Sequence, residues 1–283
     1  KILVIPVYGL ISDVPREKFL RAHPSLVQEV VARLRRAEAD EQVKAVILKI
    51  NSPGGTTTAS DILYHEIQGY MRRSRRVVVA ALMGTAASGG YYIALPADWI
   101  MAHPTTVTGS VGVIFMQPEI AGLMDKFGVA VRVSKSGPNK DMGSPFRRSN
   151  EKERLMFQHL TDRLGSRFLD LVAQHRTLDN GQLADIATAR IYLAEDALNV
   201  GLVDQIGYLS DAIEQARARA GLPEDARVVV YRRCRQADDT IYNTALNQFG
   251  GLADGHWEAG LTKVMGGRIG GFYYVWPAVV GAE

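Results

Sequence analysis

The sequence predicts an α/β domain in which helices flank a mostly parallel sheet. Short runs rich in valine and isoleucine alternate with longer segments whose apolar residues recur every three or four positions. This alternation is typical of parallel strands joined by helical crossovers. The 283 residues suffice for one large core with an appendage. We expect a single domain over residues 1–235 and a C-terminal extension over residues 236–283, because glycine and aromatic residues there follow no clear period. The extension is a candidate arm at an oligomer interface.

The first half of the chain supplies most of the predicted sheet. Valine clusters such as Val77-Val78-Val79 are β-branched and favour strands, whereas Leu26, Val30 and Leu34 have helical spacing. Strands are expected over residues 2–7, 43–50, 77–81 and Trp99–Ala102, and helices over residues 24–39, 56–71 and 89–95.

The second half is predicted to be mainly helical. Residues 134–148 have no apolar period and carry Gly137-Pro138, so we expect a loop there. Glu151 and Glu153 suit the first turn of a long helix that ends near His175. The remaining predictions are helices over residues 119–127, 183–186, 194–200 and 210–220, and strands over residues 129–133 and 227–231.

Residues 77–97 contain no charged side chain, which raises the question of a membrane span. The stretch is long enough for a transmembrane helix. However, Gly84, Gly89, Gly90 and Pro96 interrupt any single helix. A buried strand, a tight turn and a buried helix are the favoured interpretation.

Composition excludes several classes of protein. A formal net charge of +3 is too small to indicate a nucleic-acid partner. The single cysteine, Cys234, excludes an internal disulfide and a cysteine-only metal cage. No pair of histidines has the spacing of a metal motif, so we expect no metal and no cofactor. The chain shows no signal peptide, since a strand-like run follows Lys1 at once.

Two stretches contain the candidate anion-binding and nucleophilic residues. In "KINSPGGTT" a strand ends before Gly54 and Gly55, whose backbone N–H groups could hold an anion or a developing oxyanion at a sharp turn. In "MGTAASGGYY" Ser88 lies between a strand and a helix among small residues that leave room for a substrate carbonyl. The N–H of Gly89 is available to negative charge at that helix start. Each stretch, taken alone, is also compatible with a purely structural turn.

A serine nucleophile needs a base. None of the six histidines lies in a loop of special composition, but Lys140 lies in the glycine-rich and proline-rich loop "SKSGPNKDMGSPFRR". A lysine amine in a dry pocket loses its proton because desolvation disfavours the ammonium form. Lys140 is therefore a candidate general base, and a solvated surface lysine is the alternative.

Taken in order, "NSPGG", "AASGGYYIA", "TGSVGV" and "KSGPNKDMGSPFR" resemble the signal peptide peptidase A family of Ser-Lys serine proteases. That family has the Clp protease/crotonase fold. The resemblance covers about residues 2–233. It implies that Ser88 is the nucleophile, Lys140 the base and Ser110 the group that orients the lysine amine. It also implies an oxyanion hole from the backbone of Gly55 and Gly89, with Gly54 shaping the turn.

The resemblance further implies apolar peptide substrates, chiefly remnants of signal peptides. It implies a homo-oligomeric ring in which Lys140 could serve the serine of an adjacent chain. It implies an N-terminal membrane anchor, absent from this chain, and a location on the extracytoplasmic side of the cell membrane. Threonines at positions 56–58 and at Thr85 depart from the family pattern and leave substrate preference open. Two alternatives remain, a crotonase-type acyl-CoA enzyme and a non-catalytic ring-forming scaffold of the same fold.

Overall fold

A computed structural model describes residues 1–18, 21–231 and 271–277. The strands are β1 (Ile2–Tyr8), β2 (Arg16–Lys18), β3 (Arg21–His23), β4 (Ala45–Ser52), β5 (Gly54–Thr56), β6 (Val77–Ala87), β7 (Trp99–Ala102), β8 (Val107–Gly109), β9 (Ile114–Met116), β10 (Ile191–Leu193), β11 (Gln205–Ile206), β12 (Val228–Val229) and β13 (Gly271–Val275). The helices are α1 (Leu26–Ala39), α2 (Thr57–Ser74), α3 (Gly89–Tyr92), α4 (Ala121–Phe127), α5 (Glu151–His175), α6 (Asn180–Ile186), α7 (Ala194–Asn199) and α8 (Leu209–Arg219).

The central sheet confirms the predicted fold class. Its strands follow the order β10-β8-β6-β4-β1-β12, and β7 pairs with both β6 and β11. The pairs of β4 with β1 and β6, and those of β6 with β7 and β8, are parallel, whereas β10 runs antiparallel to β8. The described chain is therefore an α/β domain built on a mostly parallel sheet.

Both faces of this sheet are covered, which explains its continuous apolar strands. Alternate residues of β1 point to opposite sides. Leu3 and Ile5 belong to the core that contains the buried side chains of α1 and α2, while Ile2 and Val4 cluster with Ala212 of α8.

The charge-free stretch at residues 77–97 folds as a long strand followed by one helical turn. Strand β6 continues to Ala87 rather than ending at residue 81, because it changes neighbours along its length. Residues 79–82 pair with β7 and residues 85–87 pair with β8. Across the described residues, no helix is both long and apolar enough to cross a membrane.

One predicted strand is wrong. Residues 129–133 form no regular structure, and the side chains of Val129, Val131 and Val133 are 55, 48 and 55 % exposed. Their alternation predicted a half-buried strand, but among the described residues no strand pairs with this segment. The predicted loop that follows is confirmed, and so is the long helix α5.

A second, smaller sheet was not predicted. It has the order β5-β13-β9, so its middle strand comes from the C-terminal extension. Residues 236–270 and 278–283 of that extension lie outside the described part of the chain, and its role at an oligomer interface stays a prediction.

Candidate active site

Ser88 lies at the junction between β6 and α3. Its backbone has φ 53° and ψ −117°, a region that residues with a side chain seldom adopt and that costs about 1–3 kcal/mol. The turn is held because the Ser88 N–H donates to the carbonyl of Gly109 at 2.7 Å, and the Ser88 carbonyl accepts from the N–H groups of Tyr91 and Tyr92.

The Ser88 hydroxyl is the unusual group of this junction. The residue is only 1 % exposed, and its Oγ has no hydrogen-bond partner among the described residues. Buried hydroxyls are nearly always paired, because leaving one unpaired costs free energy. A strained turn that presents an unpaired hydroxyl is a feature of functional sites.

Ser88, Gly54, Gly55 and Gly89 surround a small hollow, and Gly54 and Gly55 line one side of it. Gly54 has φ +103°, and a Cβ on Gly55 would lie 1.8 Å from the carbonyl oxygen of Ile11. Ile11 also donates its N–H to the Gly54 carbonyl and accepts from the Thr56 N–H. Because successive residues of a strand direct these groups to opposite edges, the N–H of Gly55 faces away from Ile11.

Gly89 closes the hollow from the other side. A Cβ on Gly54 would lie 2.8 Å from the Gly89 nitrogen, and one on Gly89 would lie 3.1 Å from the Gly54 Cα. The structure thus brings together Ser88, Gly54, Gly55 and Gly89, which are four of the six residues named from the sequence.

Ser110 lies next to the residue that holds Ser88 in place. It follows Gly109, whose carbonyl accepts from Ser88, and its own N–H donates to the Arg190 carbonyl at 2.8 Å. Its φ of 52° makes this a second non-glycine residue with positive φ near the hollow.

Lys140 does not join this group within the single chain. Its side chain is exposed, and the unpartnered Ser88 Oγ makes no hydrogen bond to it. The described residues therefore do not bury Lys140 in a dry pocket, and its role as the general base stays a prediction. The surrounding loop is joined to its neighbours elsewhere, since the Pro145 carbonyl accepts from the Ile120 N–H just before α4 and Arg147 pairs with Glu153 of α5.

A charged cluster holds the Lys140 loop. Asp141 accepts from Arg147 at 2.9 Å and from Lys135 at 2.7 Å, and Arg147 also pairs with the buried Glu153 of α5. Arg147 lowers the pKa of both Asp141 and Glu153 from their ordinary values. Sequence reasoning missed these residues, although opposite charges recur six positions apart from Lys135 to Glu153.

The C-terminal strand β13 occupies the hollow, and this too was missed. It runs antiparallel to β5, with Tyr274 opposite Gly55, and antiparallel to β9, with Phe272 opposite Phe115. The Tyr274 carbonyl oxygen would lie 2.0 Å from a Cβ on Gly54 and 2.9 Å from one on Gly89. No local sequence pattern predicts that β13 pairs with β5 and β9, because these strands are so far apart in the sequence.

Comparisons with known proteins agree with this geometry. Residues 71–223 match the model of peptidase family S49, and residues 21–107 match that of Clp protease. A protein of Enterococcus faecium named for signal peptide peptidase SppA is 36 % identical over 82 % of this chain and 67 % of its own length. Protease 4 of Haemophilus influenzae is 35 % identical over 81 % of this chain.

The chain spans only part of some relatives. The match covers 36 % of Protease 4 of Haemophilus influenzae. It also covers 35 % of Serine protease SPPA, chloroplastic, of Arabidopsis thaliana, which is 29 % identical over 83 % of this chain. The family match itself extends over more than half of the chain and includes Ser88 and Lys140. The chain therefore belongs to peptidase family S49 and is a serine peptidase.

Proposed function

We propose that this peptidase cleaves apolar peptides through an acyl-enzyme on Ser88. The observation that carries the proposal is the Ser88 hydroxyl, which is buried, has no partner among the described residues and lies in a strained turn beside converging glycines. Such a hydroxyl needs no hydrogen bond broken before it attacks a substrate carbonyl.

The oxyanion donors in this proposal are the N–H groups of Gly55 and Gly89. The Gly55 N–H faces away from Ile11, and the Gly89 nitrogen lies against Gly54. Two fixed donors in a water-poor hollow stabilise a tetrahedral intermediate without reorganising, and losing one typically costs about a hundredfold or more in rate.

Lys140 of an adjacent copy of the chain acts as the general base, with Ser110 orienting its amine. Two observations favour an adjacent copy over the same chain. Lys140 is exposed although its loop is firmly held. Exposed apolar side chains of α4 and the segment after it precede this loop, namely Leu123, Phe127, Val129, Val131 and Val133. Exposed apolar side chains so close together in the sequence are typical of a protein interface.

The substrates are remnants of signal peptides, and the enzyme works at the extracytoplasmic side of the cell membrane as a homo-oligomeric ring. The name of the Enterococcus faecium relative supports this substrate class. The groove supports it too, because β5 and β9 accept an extended segment between them. Such β-addition recognises a peptide through its backbone and through pockets for alternate side chains.

A fluorophosphonate probe tests the nucleophile. The purified protein should be labelled, and peptide mapping should locate the adduct on Ser88. Ser88→Ala should abolish both labelling and peptide hydrolysis. Ser74→Ala is the matched control, because Ser74 has a partnered hydroxyl at the end of α2 and should leave both intact. Labelling of Ser88→Ala at the wild-type level would overturn the proposal.

Mixing two inactive variants tests whether the base comes from another copy. Ser88→Ala and Lys140→Ala are denatured together and refolded as mixed oligomers. If Lys140 serves a neighbouring serine, random mixing restores about a quarter of the wild-type sites. If both groups act within one chain, no activity returns, and the adjacent-copy assignment fails while the nucleophile assignment stands.

A further inference from the structure

We infer that Tyr192 is a positioning residue for the proposed nucleophile, because it fixes the segment at residues 109–110 to which Ser88 is bonded. This inference rests on the proposed function of Ser88. Ser88 has a strained backbone, and such a conformation persists only where the surrounding structure holds it. The Ser88 N–H donates to the Gly109 carbonyl at 2.7 Å, so a shift of Gly109 would move Ser88 with it.

Strand β10 holds this segment from the other side. It runs antiparallel to β8, with Ile191 opposite Gly109, and the Arg190 carbonyl accepts from the Ser110 N–H at 2.8 Å. The strand has only three residues and lies at one edge of the described central sheet. Because an edge strand pairs with a neighbour on one side only, we expect the position of β10 to depend on its side chains as well.

Tyr192 is the side chain of β10 that points into the protein. It is 3 % exposed, whereas Ile191 and Leu193 are 40 and 59 % exposed. Its ring lies directly against Gly109, since a Cβ on that glycine would lie 2.5 Å from Cδ2 of Tyr192. Gly109 also has φ +82°, a conformation that favours glycine. The Tyr192 ring therefore supports the residue that holds Ser88.

Two polar contacts hold the Tyr192 ring in turn. Its hydroxyl donates at 2.9 Å to the carboxylate of Asp185, near the end of α6. Burial raises the pKa of this hydroxyl, which keeps the donor protonated. The guanidinium carbon of Arg190 lies 4.8 Å from the centre of the ring, within the range of a cation–π contact, and Arg190 pairs with Asp185 at 3.3 Å. Tyr192 thus connects α6 to Gly109.

These contacts bear on both proposed roles beside the hollow. Tyr192 acts on Ser88 through Gly109, and on Ser110 through the backbone of β10. A displacement of about 1 Å in a reacting group can cost about a hundredfold in rate. Loss of the Tyr192 contacts should therefore lower kcat. KM should change little, because β5 and β9, which form the proposed peptide groove, contribute none of these contacts.

Two matched tyrosine variants test the inference. Tyr192→Phe keeps the ring and removes the hydrogen bond to Asp185. Tyr231→Phe is the control, because Tyr231 donates to Asp40 at the same 2.9 Å and has the guanidinium carbon of Arg36 4.9 Å from its ring centre. Tyr231 lies just after β12, at the opposite end of the sheet order. Urea denaturation should show similar losses of stability, but only Tyr192→Phe should lower kcat and slow fluorophosphonate labelling, each by about tenfold.

A pair of Asp185 variants separates the hydrogen bond from a general loss of packing. Asp185→Ala removes the acceptor and should slow labelling as Tyr192→Phe does. Asp185→Asn keeps a side-chain oxygen that can accept from the hydroxyl, and it should restore most of the rate. Equal rates for Tyr192→Phe and Tyr231→Phe would overturn the inference. Labelling of Asp185→Asn as slow as that of Asp185→Ala would overturn it too.

The wild-type reactions separate this inference from the proposed function. If the wild type is labelled on Ser88 and hydrolyses peptides, but Tyr192→Phe and Asp185→Ala match its rates, the positioning role alone is overturned. A wild type that shows neither reaction would overturn the proposed function, and the positioning role with it.

Discussion

The hollow around Ser88 and the loop that carries Lys140 are built in opposite ways. The hollow is buried, made of backbone groups and fixed by hydrogen bonds to Ile11 and Gly109. The loop is exposed and is held by ion pairs around Arg147 and by a hydrogen bond from the Ile120 N–H to the Pro145 carbonyl. The proposed nucleophile and oxyanion donors are therefore brought together by the folding of a single chain. The proposed base, Lys140, needs a covering surface that the described residues of this chain do not provide.

The largest effect is expected from adding a methyl group to the hollow. Gly55→Ala would bring its Cβ to 1.8 Å from the Ile11 carbonyl oxygen, so the strand must shift. We expect a loss of at least about 2 kcal/mol in the free energy of unfolding and of at least about a hundredfold in kcat/KM. Gly137→Ala in the loop is the control, because a Cβ there meets nothing within 4 Å. Equal denaturation midpoints for the two variants would show that the hollow is no more tightly packed than the loop.

Lys140→Ala should lower activity without lowering stability, unlike Gly55→Ala. Removing a general base lowers kcat by about 10²–10⁴-fold, while an exposed side chain changes the free energy of unfolding by less than about 0.5 kcal/mol. Rate measurements paired with urea denaturation check this. Substantial hydrolysis by Lys140→Ala would remove the lysine from the mechanism.

Arg147→Met should act on the loop alone. It removes the cation that binds both Asp141 and Glu153, so the lysine loses its fixed position. We expect kcat to fall by roughly ten- to a hundredfold with little change in KM. Arg148→Met alters an exposed neighbour and should keep the wild-type kcat. Identical rates for the two variants would show that the ion pairs do not position the loop.

Val131→Glu should weaken assembly and lower activity severalfold, because it places a charge on the apolar surface beside the Lys140 loop. Sedimentation velocity should show smaller species than for the wild type. Val230→Glu is matched in type and exposure and directly follows β12, the last strand in the order of the central sheet. A wild-type sedimentation profile for Val131→Glu would move the interface elsewhere.

The smallest effect is expected from pH on the loop itself. Arg147 lowers the pKa of Asp141 and Glu153, so their ion pairs are fully present above the ordinary carboxyl range. They weaken only as the pH falls through the lowered values. The hydrogen-exchange protection factors of residues 134–148 should therefore match at pH 8 and pH 5. Lower protection at pH 5 than at pH 8 would show that these ion pairs already weaken within that range.

The sequence predicted the hollow better than its surroundings, for a physical reason. The turn at Gly54 and the strand-to-helix junction at Ser88 depend on local backbone conformation, which glycine and small residues signal directly. The extension of β6 to Ala87, by contrast, depends on pairing with β8, and the position of β13 depends on partners at Gly55 and Phe115. Such pairings between distant segments leave no local pattern.

The valines at positions 129–133 show the converse error. Their alternation is real, but a strand forms only where a neighbouring strand pairs with it, and the described residues provide none. The composition of its loop identified Lys140 as a candidate base. That composition does not indicate whether the amine serves Ser88 of its own chain or Ser88 of another copy.

In the proposed mode of binding, residues 271–277 compete with every outside peptide for the place between β5 and β9. A competitor on the same chain keeps its effective concentration however dilute the protein is, so a free substrate must displace it. The apparent KM of this chain then depends on residues 271–277 as well as on the residues that line the groove, and it should drop in a variant from which residues 271–283 are deleted.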